Sequence, residues 1–244
     1  MNISNATVLV TGANRGLGSA LVDEALSRGA KRVYAGARQP FSHPDHRVVP
    51  LVLDVTDAKT IRAAVEQVDA LDVLINNAGI SLQNDIGDRA ALERLIAVNL
   101  FGAYDVTQAF LPVLARPHSA IVNILSLAAL AAVPFDSLYS ISKAAAFSLS
   151  QSLRALLAQR GVSVHIALPG PIDTDMTRNL DIPKASPGSV AQAILAGVEN
   201  GEEEIFPDPM SAGLAEGWRN SAVKALQRQF AAYAEQSPVK SDAA

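Results

Sequence analysis

Short apolar runs alternate with helical patterns along the whole chain. The runs are rich in Val, Ile and Leu with little polar alternation, which is typical of strands buried on both faces of a sheet. Seven strands are predicted: TVLVTG (7–12), RVYAGA (32–37), VVPLVLDV (48–55), DVLINNAG (72–79), SAIVNILS (119–126), VSVHIALPG (162–170) and EEIFP (203–207). Strands that alternate with helices in this way predict a parallel sheet with helices on both faces.

The helical pattern lies between these runs. It covers about residues 17–28, 57–68, 89–115, 137–160 and 188–200. No repeat, low-complexity tract or linker divides the 244 residues, and a chain of this length can bury one large core. We therefore predict one doubly wound α/β domain over residues 1–244, built on a seven-stranded parallel sheet.

A final helix is predicted at about residues 212–235, with one apolar stripe at helical spacing. The stripe contains Leu214, Trp218, Ala222, Leu226, Phe230 and Tyr233. Because such a stripe has to be covered, we expect it to pack on its own domain. A subunit contact and a wall of a substrate pocket are the alternatives. The tail, residues 236–244, is expected to be loose.

Composition restricts the partners. Although 49% of the residues are hydrophobic, no apolar stretch approaches the 18 residues of a membrane span. The net charge of -4 and the lack of a basic cluster argue against nucleic acid. The absence of cysteine excludes disulfide and thiolate chemistry, and the amino terminus shows no secretory signal. We expect a soluble, cytoplasmic protein with a small-molecule partner.

The stretch LVTGANRGLG (9–18) joins the first strand to the first helix through three glycines. A helix start offers unpaired backbone N–H groups, and glycine lets an anion approach the backbone closely. The G-x-x-x-G-x-G spacing differs from the commonest dinucleotide-binding fingerprint. An ordinary glycine-rich turn therefore remains an alternative for this loop.

The stretch YSISK (139–143) starts a predicted helix and places a phenol and an ammonium on one face. A tyrosine titrates near pH ~10, and a nearby cation favours its phenolate. Lowering that pKa by about three units requires roughly 4 kcal/mol, much of which Lys143 is placed to supply. Ser126 lies thirteen residues before Tyr139, at the carboxyl end of a strand, where ligands bind in open α/β sheets. A solvated lysine beside a half-exposed tyrosine is the alternative.

Six separated motifs together resemble the short-chain dehydrogenase/reductases, in their shorter single-domain branch. They are TGANRGLG (11–18), NNAG (76–79), Asn99, Ser126, YSISK (139–143) and PGPIDTDM (169–176). The resemblance implies a Rossmann fold and hydride transfer between a nicotinamide nucleotide and a carbonyl or alcohol. It extends from the first strand to about residue 206.

The resemblance also implies catalytic roles. Tyr139 would be the general acid in reduction and the base in oxidation, and Ser126 would donate a hydrogen bond to the substrate oxygen. Lys143 would lower the pKa of Tyr139 and bind the nicotinamide ribose. Asn99 would hold a water that relays protons to Lys143.

The same resemblance assigns residues to the cofactor. Asp54 would bind adenine by a hydrogen bond, and the alternative for Asp54 is a helix cap near Thr56. Thr174 would face the nicotinamide amide. The full set contains Gly12, Asn14, Arg15, Gly16, Leu17, Gly18, Arg38, Asp54, Val55, Asn77, Ala78, Gly79, Tyr139, Lys143, Pro169, Gly170, Ile172 and Thr174.

Two arginines indicate which cofactor is preferred. The second strand ends in Ala37 and Arg38, where an NAD-selective enzyme would carry an acid for the ribose 2′-hydroxyl. An arginine instead binds the 2′-phosphate of NADP by donating charge-assisted hydrogen bonds to it. Arg15 is the second candidate for that phosphate. We therefore predict NADP(H) over NAD(H), from the two arginines and the missing carboxylate.

Several features are predicted to be structural. HPDH (43–46) is interpreted as a solvated loop, so no metal is assigned, and His165 as a core histidine. GEEEIF (201–206) is interpreted as an exposed acidic turn. The segment 174–187 is short for a substrate lid, so we hypothesise an open pocket with walls at 80–88, 127–138 and 176–182.

Three functions are considered. An NADP(H)-dependent carbonyl reductase or alcohol dehydrogenase is the first, and a nucleotide-binding sensor or scaffold without turnover is the second. A sugar-nucleotide epimerase or dehydratase is a distant third, because the chain leaves little room for a carboxy-terminal substrate domain. A homodimer or homotetramer is expected, through the helices predicted at 89–115 and 137–160.

Overall fold

Seven parallel strands form a single sheet in the computed structural model, which describes residues 1–82, 85–114 and 118–236, with side chains as far as residue 232. The order across the sheet is β3-β2-β1-β4-β5-β6-β7, and each adjacent pair is parallel. The strands are β1 (Thr7–Thr11), β2 (Arg32–Ala37), β3 (Val48–Val52), β4 (Val73–Asn76), β5 (Ser119–Ile124), β6 (Val162–Ala167) and β7 (Glu204–Ile205). The predicted doubly wound α/β Rossmann fold is confirmed.

Helices cover both faces of this sheet. They are α1 (Gly16–Ser27), α2 (Ala58–Val65), α3 (Arg89–Ile96), α4 (Ala103–Leu114), α5 (Ser137–Leu157), α6 (Pro187–Glu199), α7 (Pro209–Ala212), α8 (Ala215–Arg219) and α9 (Ala222–Gln236). Short 3-10 turns follow β5 (Leu127–Ala129), precede α5 (Pro134–Asp136), extend α5 (Ala158–Arg160) and lie at Asp175–Thr177. No helix of the described ranges is both long and apolar enough to cross a membrane.

The core lies in two layers, one on each face of the sheet. In β1, Val8 and Val10 face the layer that contains α1 and α6, whereas Leu9 faces the layer of α2 and α4. All three side chains are fully buried, and burying one such side chain contributes about 2 kcal/mol. A strand buried on both faces needs apolar residues at every position, which explains the unbroken apolar runs of the sequence.

The helix predicted over 89–115 is interrupted by a π-helical segment, Ala97–Gly102, between α3 and α4. Residue 115 lies outside the described residues. Gly102 allows close packing here, because a Cβ on it would lie 2.6 Å from Val55 Cγ2. Single π-helical turns occur often at functional sites, and this one contains Asn99.

The prediction of one helix over 212–235 is wrong. Asp208 caps α7 with its carboxylate, so helical structure begins earlier, at Pro209. The Ser221 hydroxyl accepts a hydrogen bond from the Lys224 N–H at 3.0 Å and starts α9 as a separate helix. Of the tail predicted to be loose, residues 236–244, Gln236 ends α9 and residues 237–244 lie outside the described residues.

The expected packing of the apolar stripe is also wrong. Trp218 does pack inward, edge-on to the Phe147 ring at 5.6 Å, but Leu214, Leu226 and Phe230 are exposed. The side chain of Tyr233 lies outside the described residues. α9 instead buries Lys224, whose Nζ donates to Glu204 at 2.6 Å. An ion pair therefore fixes which face of α9 turns inward.

The interpretation of GEEEIF as an exposed acidic turn is wrong at Glu204, which is buried. Its carboxylate accepts hydrogen bonds from Arg154 at 2.6 Å, Lys224 at 2.6 Å and the Trp218 indole at 3.0 Å. The pKa of Glu204 is lowered, because the attraction of Arg154 and these donors outweighs the opposing effect of burial. His165 is a core residue, as predicted.

Candidate active site

The site lies where the carboxyl ends of β1, β4, β5 and β6 meet. The chain runs from β1 to β2 on one side of the sheet centre and reaches β4 on the other, so the strand order reverses beside β1. Open parallel sheets bind ligands in the crevice at such a reversal. The predicted motifs follow one of these four strands or start a helix next to them, except the end of β2, the Asp54 turn and Asn99 in the π-helical segment.

The glycine loop has the shape of a ligand cradle. Gly12 has φ +65° and Gly16 has φ +56°, values that residues other than glycine rarely adopt. A Cβ on Gly18 would lie 2.0 Å from the Gly12 carbonyl oxygen, so the start of α1 folds directly against the loop. The loop therefore leads into a helix start that has no side-chain cap, as anion binding requires.

Thr11 and Asn77 join this loop to the end of β4. The Thr11 hydroxyl accepts hydrogen bonds from the N–H groups of Asn77 and Ala78, each at 3.0 Å. Asn77 Nδ2 in turn donates to the Thr11 carbonyl at 2.8 Å. Sequence reasoning did not select Thr11, although a hydroxyl at a strand end beside the glycine loop was a usable signal.

Ser126, Tyr139 and Lys143 come together as predicted. Ser126 lies close enough to Tyr139 for its hydroxyl to lower the pKa of the phenol, and Ser126 Oγ accepts a hydrogen bond from the Ala128 N–H at 3.1 Å. Lys143 lies one turn along α5, with Nζ 5.6 Å from the centre of the Tyr139 ring. Its Nζ donates to the Ile124 carbonyl at 3.0 Å, which fixes the ammonium below the phenol.

Burial dominates the titration of this pair. It raises the pKa of Tyr139 to about 12; the hydrogen bond to Ser126 opposes the rise and the Asp136 carboxylate adds to it. Burial also lowers the pKa of Lys143 to about 8. Tyr139 is thus a protonated phenol at neutral pH, and the expected lowering of its pKa by Lys143 stays a prediction.

Asn99 lies in the π-helical segment with its side chain fully engaged. Its Oδ1 accepts from the Ile80 N–H at 2.9 Å, and its Nδ2 donates to the Ile80 carbonyl and to Ser142 Oγ, both at 2.9 Å. A Cβ on Gly79 would lie 3.3 Å from Asn99 Oδ1. The amide therefore holds the chain after β4 in place, and because both Nδ2 hydrogens are used, a water could bind Asn99 only through an oxygen, that of the backbone or Oδ1.

A buried polar network supports the site from below. Asn76 Nδ2 donates to Thr107 Oγ1 at 3.0 Å and to Asn123 Oδ1 at 2.9 Å, and Asn123 Nδ2 donates to Ser150 Oγ at 2.8 Å. The network ties β4 and β5 to α4 and α5. Its members are ordinary polar residues inside apolar runs or helices, and no local pattern groups them.

Asp54 forms a turn with Thr56. Its Oδ1 accepts from the Thr56 N–H at 2.9 Å and from the Thr56 hydroxyl at 2.7 Å. The helix cap considered as the alternative belongs instead to Asp57, which accepts from the Lys59 N–H. Val55 is buried against Gly102, so its side chain helps to support the π-helical segment.

The segment after β6 faces the glycine loop. A Cβ on Gly16 would lie 3.3 Å from Thr174 Cγ2, so the two sides of the crevice touch.

Hydrogen bonds anchor this segment after β6. Pro169 accepts from the Leu127 N–H at 3.0 Å, and Gly170 donates to Asp208 Oδ2 at 2.8 Å. Ile172 accepts a hydrogen bond from the Thr177 hydroxyl. Asp208, absent from the sequence prediction, thus anchors this segment from the start of α7.

The loop and β2 supply three further predicted cofactor residues. Asn14 is exposed, whereas Leu17 is buried in the core, so Leu17 can reach a ligand only through its backbone. Arg38 is exposed at the end of β2 and makes no ion pair or hydrogen bond with any described residue. The described residues contain no group of three or more potential metal ligands.

Comparisons with known proteins identify the family. Residues 6–184 match the short chain dehydrogenase profile. The chain is 32% identical to the 3-oxoacyl-[acyl-carrier-protein] reductase FabG of Escherichia coli K12, over 84% of this chain and 88% of that protein. It is 31% identical to a dehydrogenase/reductase SDR family protein 7-like of Anopheles gambiae, over 91% and 80%.

A solved structure agrees with this assignment. The crystal structure of a short chain dehydrogenase from Burkholderia cenocepacia J2315 in complex with NADP superimposes with a TM-score of 0.85 at 37% identity. The match covers 94% of this chain and 98% of that one. The chain belongs to the short-chain dehydrogenase family of oxidoreductases.

Proposed function

We propose that this oxidoreductase is an NADP(H)-dependent carbonyl reductase or alcohol dehydrogenase that uses Tyr139 as its acid and base. The observation that carries the proposal is the meeting of Ser126, Tyr139 and Lys143 at the carboxyl end of β5, with the buried Lys143 Nζ 5.6 Å from the centre of the Tyr139 ring. A sensor without turnover would have no use for a half-buried phenol beside a fixed ammonium.

When bound, the cofactor supplies the hydride for reduction or accepts it in oxidation. The Tyr139 phenol donates its proton to the substrate oxygen, and the Ser126 hydroxyl donates a hydrogen bond to the same oxygen as negative charge develops there. Because the pKa of Tyr139 is about 12, the proton-donating form is available throughout the neutral range. The site is therefore prepared for carbonyl reduction near neutral pH.

Lys143 acts from below the phenol. Its ammonium, held by the Ile124 carbonyl, favours the phenolate that forms during turnover and would hydrogen-bond the nicotinamide ribose. A water on the Asn99 backbone would return the proton, since the Asn99 side chain is committed to Ile80 and Ser142. The π-helical geometry around Asn99 supports that role.

The residues present fit a dinucleotide. The positive φ angles of Gly12 and Gly16 leave the space that a pyrophosphate needs against the start of α1. Asn77, Ala78 and Gly79 follow β4 beside it and would border the adenosine half. The NADP-bound relative from Burkholderia cenocepacia supports a nicotinamide nucleotide here.

Preference for NADP(H) over NAD(H) is proposed from charge. Arg38 is exposed and unpaired among the described side chains, and β2 ends without an acid that would bind a ribose 2′-hydroxyl. A guanidinium in this position binds a 2′-phosphate by donating charge-assisted hydrogen bonds to its oxygens. Arg15 would be the second ligand of the phosphate.

The substrate is proposed to be a carbonyl compound or secondary alcohol bound in an open pocket. Its walls would be at 80–88, 127–138 and 176–182, of which residues 83 and 84 lie outside the described residues. Phe135, Met176 and Ile182 are exposed in the described walls, so apolar surface is available to bulky substrates. A strong preference for one small polar substrate would contradict the open pocket.

The test is the loss of NADPH and NADH absorbance, followed with a panel of aldehydes, ketones and diketones. We expect turnover with NADPH, and Tyr139→Phe should reduce it by at least about a thousandfold while NADPH still binds. Tyr104→Phe, an exposed tyrosine outside the site, is the matched control and should keep full activity. NADPH binding without turnover on any substrate would favour the sensor.

A further inference from the structure

One carboxylate, Asp175, is held between two guanidinium groups at the entrance of the crevice. Its Oδ2 accepts from Arg15 Nη1 at 2.7 Å, and its Oδ1 accepts from Arg178. These hydrogen bonds, Arg15 first, lower the pKa of Asp175, so the carboxylate is ionised at neutral pH. The ion pair joins the glycine loop to the segment after β6, which lies 160 positions along the chain.

The two arginines proposed for the cofactor phosphate are therefore in different states. Arg38 makes no ion pair with any side chain that the structure describes, whereas Arg15 is already paired. Arg15 Nη1 cannot donate to Asp175 and to a phosphate with full strength at the same time. A 2′-phosphate bound by Arg15 then competes with Asp175 for this Nη1 donor and for the positive charge of the guanidinium.

This replacement is feasible because the pair is exposed. The side chain of Arg15 is 66% exposed and that of Asp175 is 50% exposed. Exposed ion pairs contribute little net stability, and a phosphate offers more negative charge and more acceptor oxygens than a carboxylate. Asp175 retains Arg178 as a partner after Arg15 has left.

We propose that Asp175 is a specificity-determining residue that competes with the 2′-phosphate of the cofactor for Arg15. The proposal rests on the NADP(H)-dependent function proposed above. NADH carries no 2′-phosphate and leaves the Arg15–Asp175 pair intact, so Asp175 weakens the binding of NADPH and not that of NADH. The residue thereby limits the preference for NADPH over NADH.

The test compares Asp175→Asn with Asp173→Asn, by fluorescence titration of the pure protein with NADPH and with NADH. Asp173 is an exposed acid two residues away whose carboxylate has no ion pair with the described residues, so it controls for net charge. We expect Asp175→Asn to lower the Kd for NADPH about fivefold, the upper range for an exposed pair, and to leave that for NADH within about twofold. Asp173→Asn should leave both within about twofold.

A second arm identifies Arg15 as the shared group. In an Arg15→Gln background, Asp175→Asn should no longer change the Kd for NADPH, because the guanidinium for which Asp175 and the 2′-phosphate compete is absent. Equal changes for NADPH and NADH, an equal gain from Asp173→Asn, or a gain that persists without Arg15 would each overturn the proposal.

Failure of the proposed function would look different. Wild-type protein that binds neither NADPH nor NADH would overturn both proposals. Wild-type protein that binds NADPH without any turnover would overturn the reductase alone, and the Kd comparison would still decide the role of Asp175.

Discussion

At the scale of single residues, the site depends on two groups whose burial costs free energy. Lys143 is almost completely buried and has only the Ile124 carbonyl as a hydrogen-bond acceptor among the described residues. Burial shifts the pKa of Tyr139 in the opposite direction, upward, since it disfavours the phenolate. Both groups are kept in places where their charged forms are disfavoured, which is common at catalytic sites.

The burial of Lys143 predicts a pH-dependent stability. Its pKa falls from 10.5 to about 8, so below pH 8 folding carries the full cost of burying the ammonium. Between pH 8 and 10.5 the unfolded chain binds more protons at this group, and the wild type becomes more stable as pH rises. Lys143→Met removes the effect. Its stability relative to wild type should fall by about 3 kcal/mol between pH 7 and 10.5.

Urea unfolding at both pH values measures this difference. Lys31→Met, at an exposed lysine, is the matched control and should show no such pH dependence. A constant difference between Lys143→Met and wild type across the two pH values would show that the ammonium is well solvated in the folded protein.

Asp136 predicts a shift in the pH profile of oxidation. Its carboxylate, bonded to Ser81 Oγ at 2.8 Å, raises the pKa of Tyr139. Asp136→Asn can keep the Ser81 contact but loses the charge, so the phenolate forms at lower pH. Alcohol oxidation at pH 9 should rise about two- to threefold, and the rising limb of the profile should move to lower pH.

The control for this change is Asp69→Asn, an exposed acid that precedes the amino end of β4, whereas the site lies at the carboxyl ends of the strands. Its oxidation profile should coincide with that of the wild type. If Asp136→Asn changed the maximum rate and left the position of the limb unchanged, Asp136 would act on packing and not on the charge near Tyr139.

At the scale of elements, the sequence pattern predicted those strands and site residues whose positions depend on neighbouring residues along the chain. The six long strands follow from unbroken apolar runs, and Ser126, Tyr139 and Lys143 follow from motif spacing along one helix and one strand end. The rotation of α9 does not follow, because the buried partner of Lys224 is Glu204 on another element. The Arg15–Asp175 ion pair could not be predicted from local sequence pattern either, since 160 positions separate the two residues.

The attachment of α9 through Lys224 predicts a large loss of stability on substitution. Lys224→Met would leave the buried Glu204 with Arg154 and Trp218 but without its ammonium partner. Removing one member of a buried ion pair costs about 3 kcal/mol, and we expect a loss of that order in urea unfolding. Arg228→Met, an exposed cation on the same helix, should change stability by less than about 0.5 kcal/mol. Equal effects of the two variants would place the attachment of α9 elsewhere.

At the scale of the whole molecule, apolar side chains remain exposed on several helices. Phe101 and Tyr104 around the start of α4, with Ile141 and Leu156 on α5, are called the first face, and Val223 and Leu226 are exposed on α9, which contacts α5. The sequence predicted an assembly through the helices at 89–115 and 137–160, which is the first face. Exposed apolar patches of this kind are typical of subunit contacts.

We therefore expect the oligomer to form through the first face. Leu156→Glu places a charge on the exposed part of α5 and should convert a dimer or tetramer into a smaller species at micromolar concentration, because a buried unpaired carboxylate opposes association. Light scattering after size exclusion gives the mass. Val223→Glu introduces the same charge on α9 and should leave the mass unchanged. A monomeric wild type would exclude the assembly, and dissociation by Val223→Glu alone would move the subunit contact to α9.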